Sequence, residues 1–179
     1  MSITANTVVR TTRDDHMIAW LTALAISIHI LESALPSPFP GFKPGLANIV
    51  TIIVLCQYGL KMAVWVTLLR VLIGSLLLGT FMSPTFMLSL SGAVATLLML
   101  ALASSLSQVF PVWALGAIGY SVLGAMTHIS VQFYVAYSLF IQHEALLALL
   151  PILATTSLIF GTFSGIVATA VLPELEARR

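Results

Sequence analysis

The sequence predicts an all-α, polytopic membrane bundle of about six transmembrane helices, and three observations predict it. Of 179 residues, 59% are hydrophobic and 7% are charged, where an average soluble domain carries about 25% charged residues. The mean hydropathy is +1.08, and seven Lys and Arg with six Asp and Glu cannot cover a water-soluble globule of this size. The apolar residues also fall in long runs without the alternation of a barrel strand, and lipid offers backbone amides no partner outside a helix.

Taken in chain order, residues 1–16 (MSITANTVVRTTRDDH) form a polar segment with Arg10, Arg13, Asp14 and Asp15. No small-residue cleavage site follows, so it reads as a cytoplasmic tail and not a secretory signal. A membrane domain occupies residues 17–172. A helix needs about 20 apolar residues to cross about 30 Å of hydrocarbon. The predicted spans are 17–35, 45–60, 62–82, 85–106, 112–141 and 145–172. The second is short enough to sit tilted or deep in the bundle. The fifth and sixth are long enough to tilt, kink or project, and Pro151 puts a kink or break near the start of the sixth.

The breaks are chemically legible. Pro36, Pro38, Pro40 and Pro44 lie in PSPFPGFKPG, which predicts a semi-rigid extended loop between the first two spans. Gly59 and Lys61 mark the second turn, Ser83-Pro84 the third, Ser104 to Pro111 the fourth and Gln142-His143-Glu144 the fifth. Residues 173–179 form a second cytoplasmic tail. Cytoplasmic termini put Arg10, Arg13, Lys61, Arg178 and Arg179 inside and Lys43 outside, as the positive-inside rule prefers. The predicted location is a bacterial-type cytoplasmic membrane.

Several chemistries are excluded. No basic stripe exists for nucleic acid. A single cysteine, Cys56, forms no intrachain disulfide and no cysteine metal site. Asp14 and Asp15, both in the tail, are the only aspartates, so no aspartate-rich motif holds Mg²⁺ against a diphosphate. The His29/Glu32 pair has no counterpart of the kind a di-iron bundle needs. Neither a phosphate-binding Gly-rich loop nor a G-x-S-x-G nucleophile motif occurs. The expectation is a protein that is no enzyme and holds no cofactor or metal.

The remaining polar residues are informative because they are few. Glu32 and Arg70 are the only formal charges within the spans, and an intramembrane charge is costly unless paired or hydrated. They either pair and lock the bundle or border a polar pocket. Ser121, Gly124, His128 and Gln132 recur at spacings of three, four and four, which puts them on one side of the fifth helix, facing inward. Asn48 and Gln57 of the second span are placed to join them. Small residues four apart, Ala19 and Ala23, then Ser157, Gly161 and Gly165, mark close helix contacts. For the sixth span these are internal; for the first, an external partner helix is the alternative.

The blocks HILESALP, GFKPGLANIVT, LLRVLIGSLL, FMLSLSGAVATLLML and SVLGAMTHISVQ resemble the Gx transporter family, whose members are often labelled heptaprenyl diphosphate synthase component I. The likeness covers roughly residues 20–170, with Pro44 standing where the family pattern has leucine. That family is similar to the S components of energy-coupling-factor transporters, six-helix membrane proteins that capture vitamins. Ala19-x-x-x-Ala23 matches the pattern with which S components dock onto a transmembrane coupling subunit. The resemblance implies a substrate capsule opened by the Pro36–Pro44 loop, with ATPases on other chains. The synthase label implies instead a partner of prenyl elongation.

The resulting expectation is a substrate-binding membrane subunit for a small solute, vitamin-like, flavin-like or isoprenoid. Its polar lining is Glu32, Lys43, Asn48, Arg70, His128 and Gln132, with His29 beside Glu32, and Ala19 and Ala23 face a partner helix. The alternatives are an accessory subunit of polyprenyl diphosphate synthesis, or a structural scaffold. A cavity walled by the first, third and fifth spans distinguishes the first from the others.

Overall fold

The computed structural model describes residues 12–34 and 47–177. The proline-rich loop with Lys43, and the terminal Arg10, Arg178 and Arg179, lie outside the described residues. The helices are α1 (Arg13–Ala34), α2 (Ala47–Tyr58), α3 (Leu60–Leu77), α4 (Pro84–Val109), α5 (Ala117–Val135), the short α6 (Glu144–Leu147) and α7 (Leu150–Glu176). Among the described residues there is no strand.

Local chemistry explains where the helices start and stop. Thr12 and Asp15 form a reciprocal cap: the Thr12 N–H donates to Asp15 Oδ2 at 2.8 Å, and the Asp15 N–H donates to Thr12 Oγ1 at 3.3 Å. This cap draws Arg13, Asp14 and Asp15 into α1 ahead of the apolar run. A single residue, Gly59 at φ 86°, separates α2 from α3. Ser83 caps α4, accepting from the Phe86 N–H at 3.4 Å, and Pro84 occupies the first turn, where its missing N–H costs nothing.

Some boundaries differ from expectation. α4 continues to Val109, so most of the predicted fourth connection is helical, and a 3₁₀ turn at Pro111–Trp113 follows it. The fifth span is α5 extended by a π-helical turn at Ala136–Phe140. The sixth is divided into α6 and α7, the break expected near its start, and Pro151 lies in the first turn of α7. α7 runs on through Pro173 to Glu176.

Four segments are long and apolar enough to cross a membrane: Arg13–Ser33, Leu60–Leu77, Pro84–Val109 and Glu144–Glu176. Trp20, Leu31, Trp65, Leu98, Ile159 and Ile166 project from their surfaces, exposed as lipid-facing residues are. This is an all-α membrane-embedded bundle. α2 has 12 residues, about 18 Å at 1.5 Å per residue, and lies inside the bundle with Thr51, Ile52 and Val54 almost wholly buried. α5 is made less apolar by its polar stripe, and it is sheltered between α4 and α7, its most extensive neighbours.

The bundle has two unlike halves. One carries the α2–α3 break and the start of α5, and its apolar core includes Ala25, Ile52, Val54, Ala63, Val66 and Leu100, with Leu21, Tyr58 and Tyr120 packed on it. The other half, toward the Leu78–Ser83 turn, encloses the polar residues described below.

The Ser157/Gly161/Gly165 stripe of α7 makes an internal contact, as expected for that span. A Cβ on Gly165 would fall 2.6 Å from Ile118 Cα of α5, and one on Gly161 2.9 Å from Ala125 Cβ. Only hydrogen fits there, and α5 and α7 are held backbone to backbone. Gly165→Ala is therefore expected to destabilise the bundle by about 1–3 kcal/mol, read as a lower melting temperature in detergent. Gly124→Ala, whose tightest contact is the Thr96 methyl at 3.3 Å, should cost less.

Candidate functional site

The inward stripe of α5 forms one wall of a cavity of about 130 Å³. Ser121, His128 and Gln132 line it from α5, His29 and Glu32 from α1, and Asn48 from α2. Arg70 and Ser75 contribute from α3, Thr85 and Ser89 from α4, and Ser157 and Ser164 from α7. All six long helices thus send polar side chains to one place in a chain that is 59% hydrophobic. Ser121 to Gln132 covers eleven steps of α5, so the cavity reaches about 16 Å along that helix. A larger hollow outside α4, lined by Met82, Met87, Val94 and Leu98, is a shallow apolar groove among exposed residues.

Charge is concentrated at Glu32 and Arg70, which are 4% and 7% exposed. Glu32 makes interactions of its own and acts electrostatically on Arg70. Among the described residues, no hydrogen bond or salt bridge involves the Arg70 guanidinium. The same holds for the side-chain amides of Asn48 and Gln132. Ser121 Oγ is completely buried and has no partner. Other buried hydroxyls do pair across helices, as in the 3.0 Å Thr51–Thr67 bond between α2 and α3. Ser121 lines the cavity, whereas Thr22 Oγ1 on α1, the other buried hydroxyl without a partner among the described residues, does not.

His128 is held from behind. Its Nδ1 lies 3.4 Å from Thr96 Oγ1, and that hydroxyl donates to the Gly124 carbonyl at 3.2 Å. The ring is also hydrogen-bonded to the Gly92 backbone of α4. Gly92 of α4 makes room for the ring. A Cβ there would come 2.8 Å from His128 Cε1 and 3.0 Å from Gln132 Cγ. Gly74 gives His29 room in the same way, with its would-be Cβ 3.3 Å from His29 Cδ2.

Of the residues singled out in the sequence, Glu32, Asn48, Arg70, His128 and Gln132 surround this one cavity, with His29. Lys43 lies outside the described residues. Gln57 is half-buried on α2 and is not among the lining residues. Ala19 and Ala23 are exposed on α1 and do not line the cavity. The sequence reading missed the contributions of α4 and α7. Thr85, Ser89, Gly92 and Thr96 stand at spacings of four, three and four, the same signal that exposed the α5 stripe. Ser157, Gly161 and Gly165 were legible as a small-residue stripe; Ser157 and Gly161 also line the cavity, together with Ser164, which the sequence reading did not single out.

If Gly92 is kept empty for His128, Gly92→Ala should destabilise the protein by about 1–3 kcal/mol. Removing the ring in Gly92→Ala/His128→Ala should recover much of that loss. A double-mutant cycle on melting temperatures checks it, and strictly additive effects would refute the contact.

The family model for heptaprenyl diphosphate synthase component I matches residues 21–171, and the chain belongs to that family. Neither a curated protein nor a solved structure matches it.

Proposed function

We propose that this member of the heptaprenyl diphosphate synthase component I family is a substrate-binding membrane subunit of a transporter. It captures a small organic solute and lacks an ATPase of its own. The observation that carries the reading is the polar cavity, which Arg70, 7% exposed, lines together with the unpartnered Ser121 hydroxyl. A charge at membrane depth costs several kcal/mol, and a buried hydroxyl left unpaired about 1–3 kcal/mol. Cavity water or a bound solute relieves that cost, and a solid scaffold does not. Glu32, Asn48, Arg70, His128 and Gln132 form the polar lining in this reading, with Lys43 joining from the loop.

The cavity lies in one half of the bundle, and the apolar core fills the other, which suits capture better than a through-pore. Cytoplasmic termini, favoured by the Lys and Arg distribution, turn the cavity toward the outside of a bacterial-type cytoplasmic membrane. The Pro36–Pro44 loop then acts as its cover. Ala19 and Ala23, exposed on α1, are the proposed contact for a coupling subunit with its ATPases, as in S components. Chemistry is left to other chains.

The family description favours one second reading, a non-catalytic accessory subunit of polyprenyl diphosphate synthesis. That reading predicts copurification with a prenyl synthase and needs no solute. To separate the two, the purified protein is titrated with water-soluble vitamins, riboflavin, small carboxylates and prenyl diphosphates. Capture predicts micromolar or tighter binding of one class, weakened at least tenfold by Arg70→Gln, about 1.4 kcal/mol. No binding across the panel, with a synthase in the purified complex, establishes the accessory role instead.

A further inference from the structure

The geometry points to the kind of solute this cavity takes: a small, polar organic anion carrying one negative charge, its acid group seated on Arg70. The inference rests on the capture reading above and narrows it. Three observations lead to it.

The first is the buried guanidinium. Arg70 is 7% exposed and, among the described residues, has neither a hydrogen bond nor a salt bridge. Glu32 lines the same cavity, acts electrostatically on Arg70 and makes further interactions of its own. What Glu32 leaves unoccupied is the set of guanidinium hydrogen-bond donors. Guanidinium stays protonated at all ordinary pH values and presents a planar fork of donors suited to an acid group. A diphosphate brings two or three negative charges, and Arg70 is the one permanent cation lining the cavity among the described residues.

The second is the polarity of the remaining wall. Asn48, Ser121 and Gln132 have side chains without partners among the described residues. They lie along the cavity with Ser157 and Ser164. A hydrocarbon tail would displace water from these groups and return no hydrogen bonds, a penalty of about 1–3 kcal/mol for each group left unpaired. A body with hydroxyl, amide or ring-nitrogen groups satisfies them. The lining therefore disfavours prenyl chains.

The third is size. The cavity of about 130 Å³ is well below the roughly 300 Å³ at which drug-sized pockets begin. A tricyclic flavin does not fit without expansion of the bundle.

The test uses charged thiol reagents, so it works whichever solute the cavity holds. Cysteines are placed in the cavity wall at Ser89 or Thr85, both half-buried lining positions of α4. The background is Cys56→Ala, because Cys56 is exposed. Full-length protein in lipid nanodiscs is reacted with anionic sulfonatoethyl methanethiosulfonate or cationic trimethylammonioethyl methanethiosulfonate. Each rate is normalised to that of a free thiol in solution. The expected result is at least a tenfold preference for the anionic reagent, lost in Arg70→Gln and kept in Arg70→Lys. The lysine variant preserves the charge and serves as the folding control. Equal normalised rates, or a preference indifferent to Arg70→Gln, overturn the anion assignment and leave the cavity and its capture role standing. Failure of both reagents at both positions shows a sealed interior, and the capture reading falls with the inference.

Discussion

The position of a single guanidinium constrains everything else in this bundle. Arg70 lies on a helix apolar enough to cross a membrane, and it is 7% exposed. Arginine cannot escape burial by losing its proton, and an unhydrated charge at membrane depth costs several kcal/mol. The fold responds by collecting polar side chains from all six long helices around one cavity, where water or a solute can reach the charge. The short α2 and the sheltered α5 follow from the same need. Both are poorly suited to face lipid, and both bring polar groups, Asn48 and then Ser121 to Gln132, into the interior.

Small residues make that convergence physically possible. Glycine at 165 lets the backbones of α5 and α7 touch, which draws Ser157 and Ser164 of α7 toward Ser121 of α5. Gly92 and Gly74 leave spaces that the His128 and His29 rings occupy. Without Cβ atoms at these places the imidazoles keep their walls; with them the rings would be pushed off, and the lining would lose its shape. Lipid exerts no hydrophobic pressure between helices, so close backbone packing and hydrogen bonds must hold such a bundle. The same residues that pack the helices also form the chamber.

Much of this was legible in the sequence because membrane helices leave few ambiguities. Long apolar runs and proline or glycine breaks identified the segments. Scarcity made Glu32 and Arg70 conspicuous, and a period near 3.6 revealed the inward stripe of α5. Boundaries were less legible where polar residues extend a helix, as the Thr12–Asp15 cap does for α1. Helical backbone can also continue through a serine-rich stretch, as at the end of α4. The walls from α4 and α7 escaped notice because serine and threonine are ordinary in apolar helices, where their hydroxyls bond back to the preceding turn. Thr155, Thr156, Thr162 and Thr169 of α7 do this. Only the fold separates those from Ser157 and Ser164, which line the cavity.

A structural lock and a binding chamber make different demands on buried polar groups. A lock is stable when its partners satisfy one another, and Thr51 with Thr67 meets that demand between α2 and α3. Arg70 does not: Glu32 acts on it electrostatically, yet no salt bridge joins them among the described residues. Replacing buried ionic groups with well-packed apolar ones is often neutral or stabilising. An incompletely paired arginine therefore burdens the fold, and stability alone gives no reason to keep it. A ligand that completes its hydrogen bonds does give one. The packed apolar half then has its own consequence, since a vessel with a solid floor cannot finish a transport cycle unaided. On the capture reading, the bundle would have to tilt or its core part, and that work would fall to partner chains.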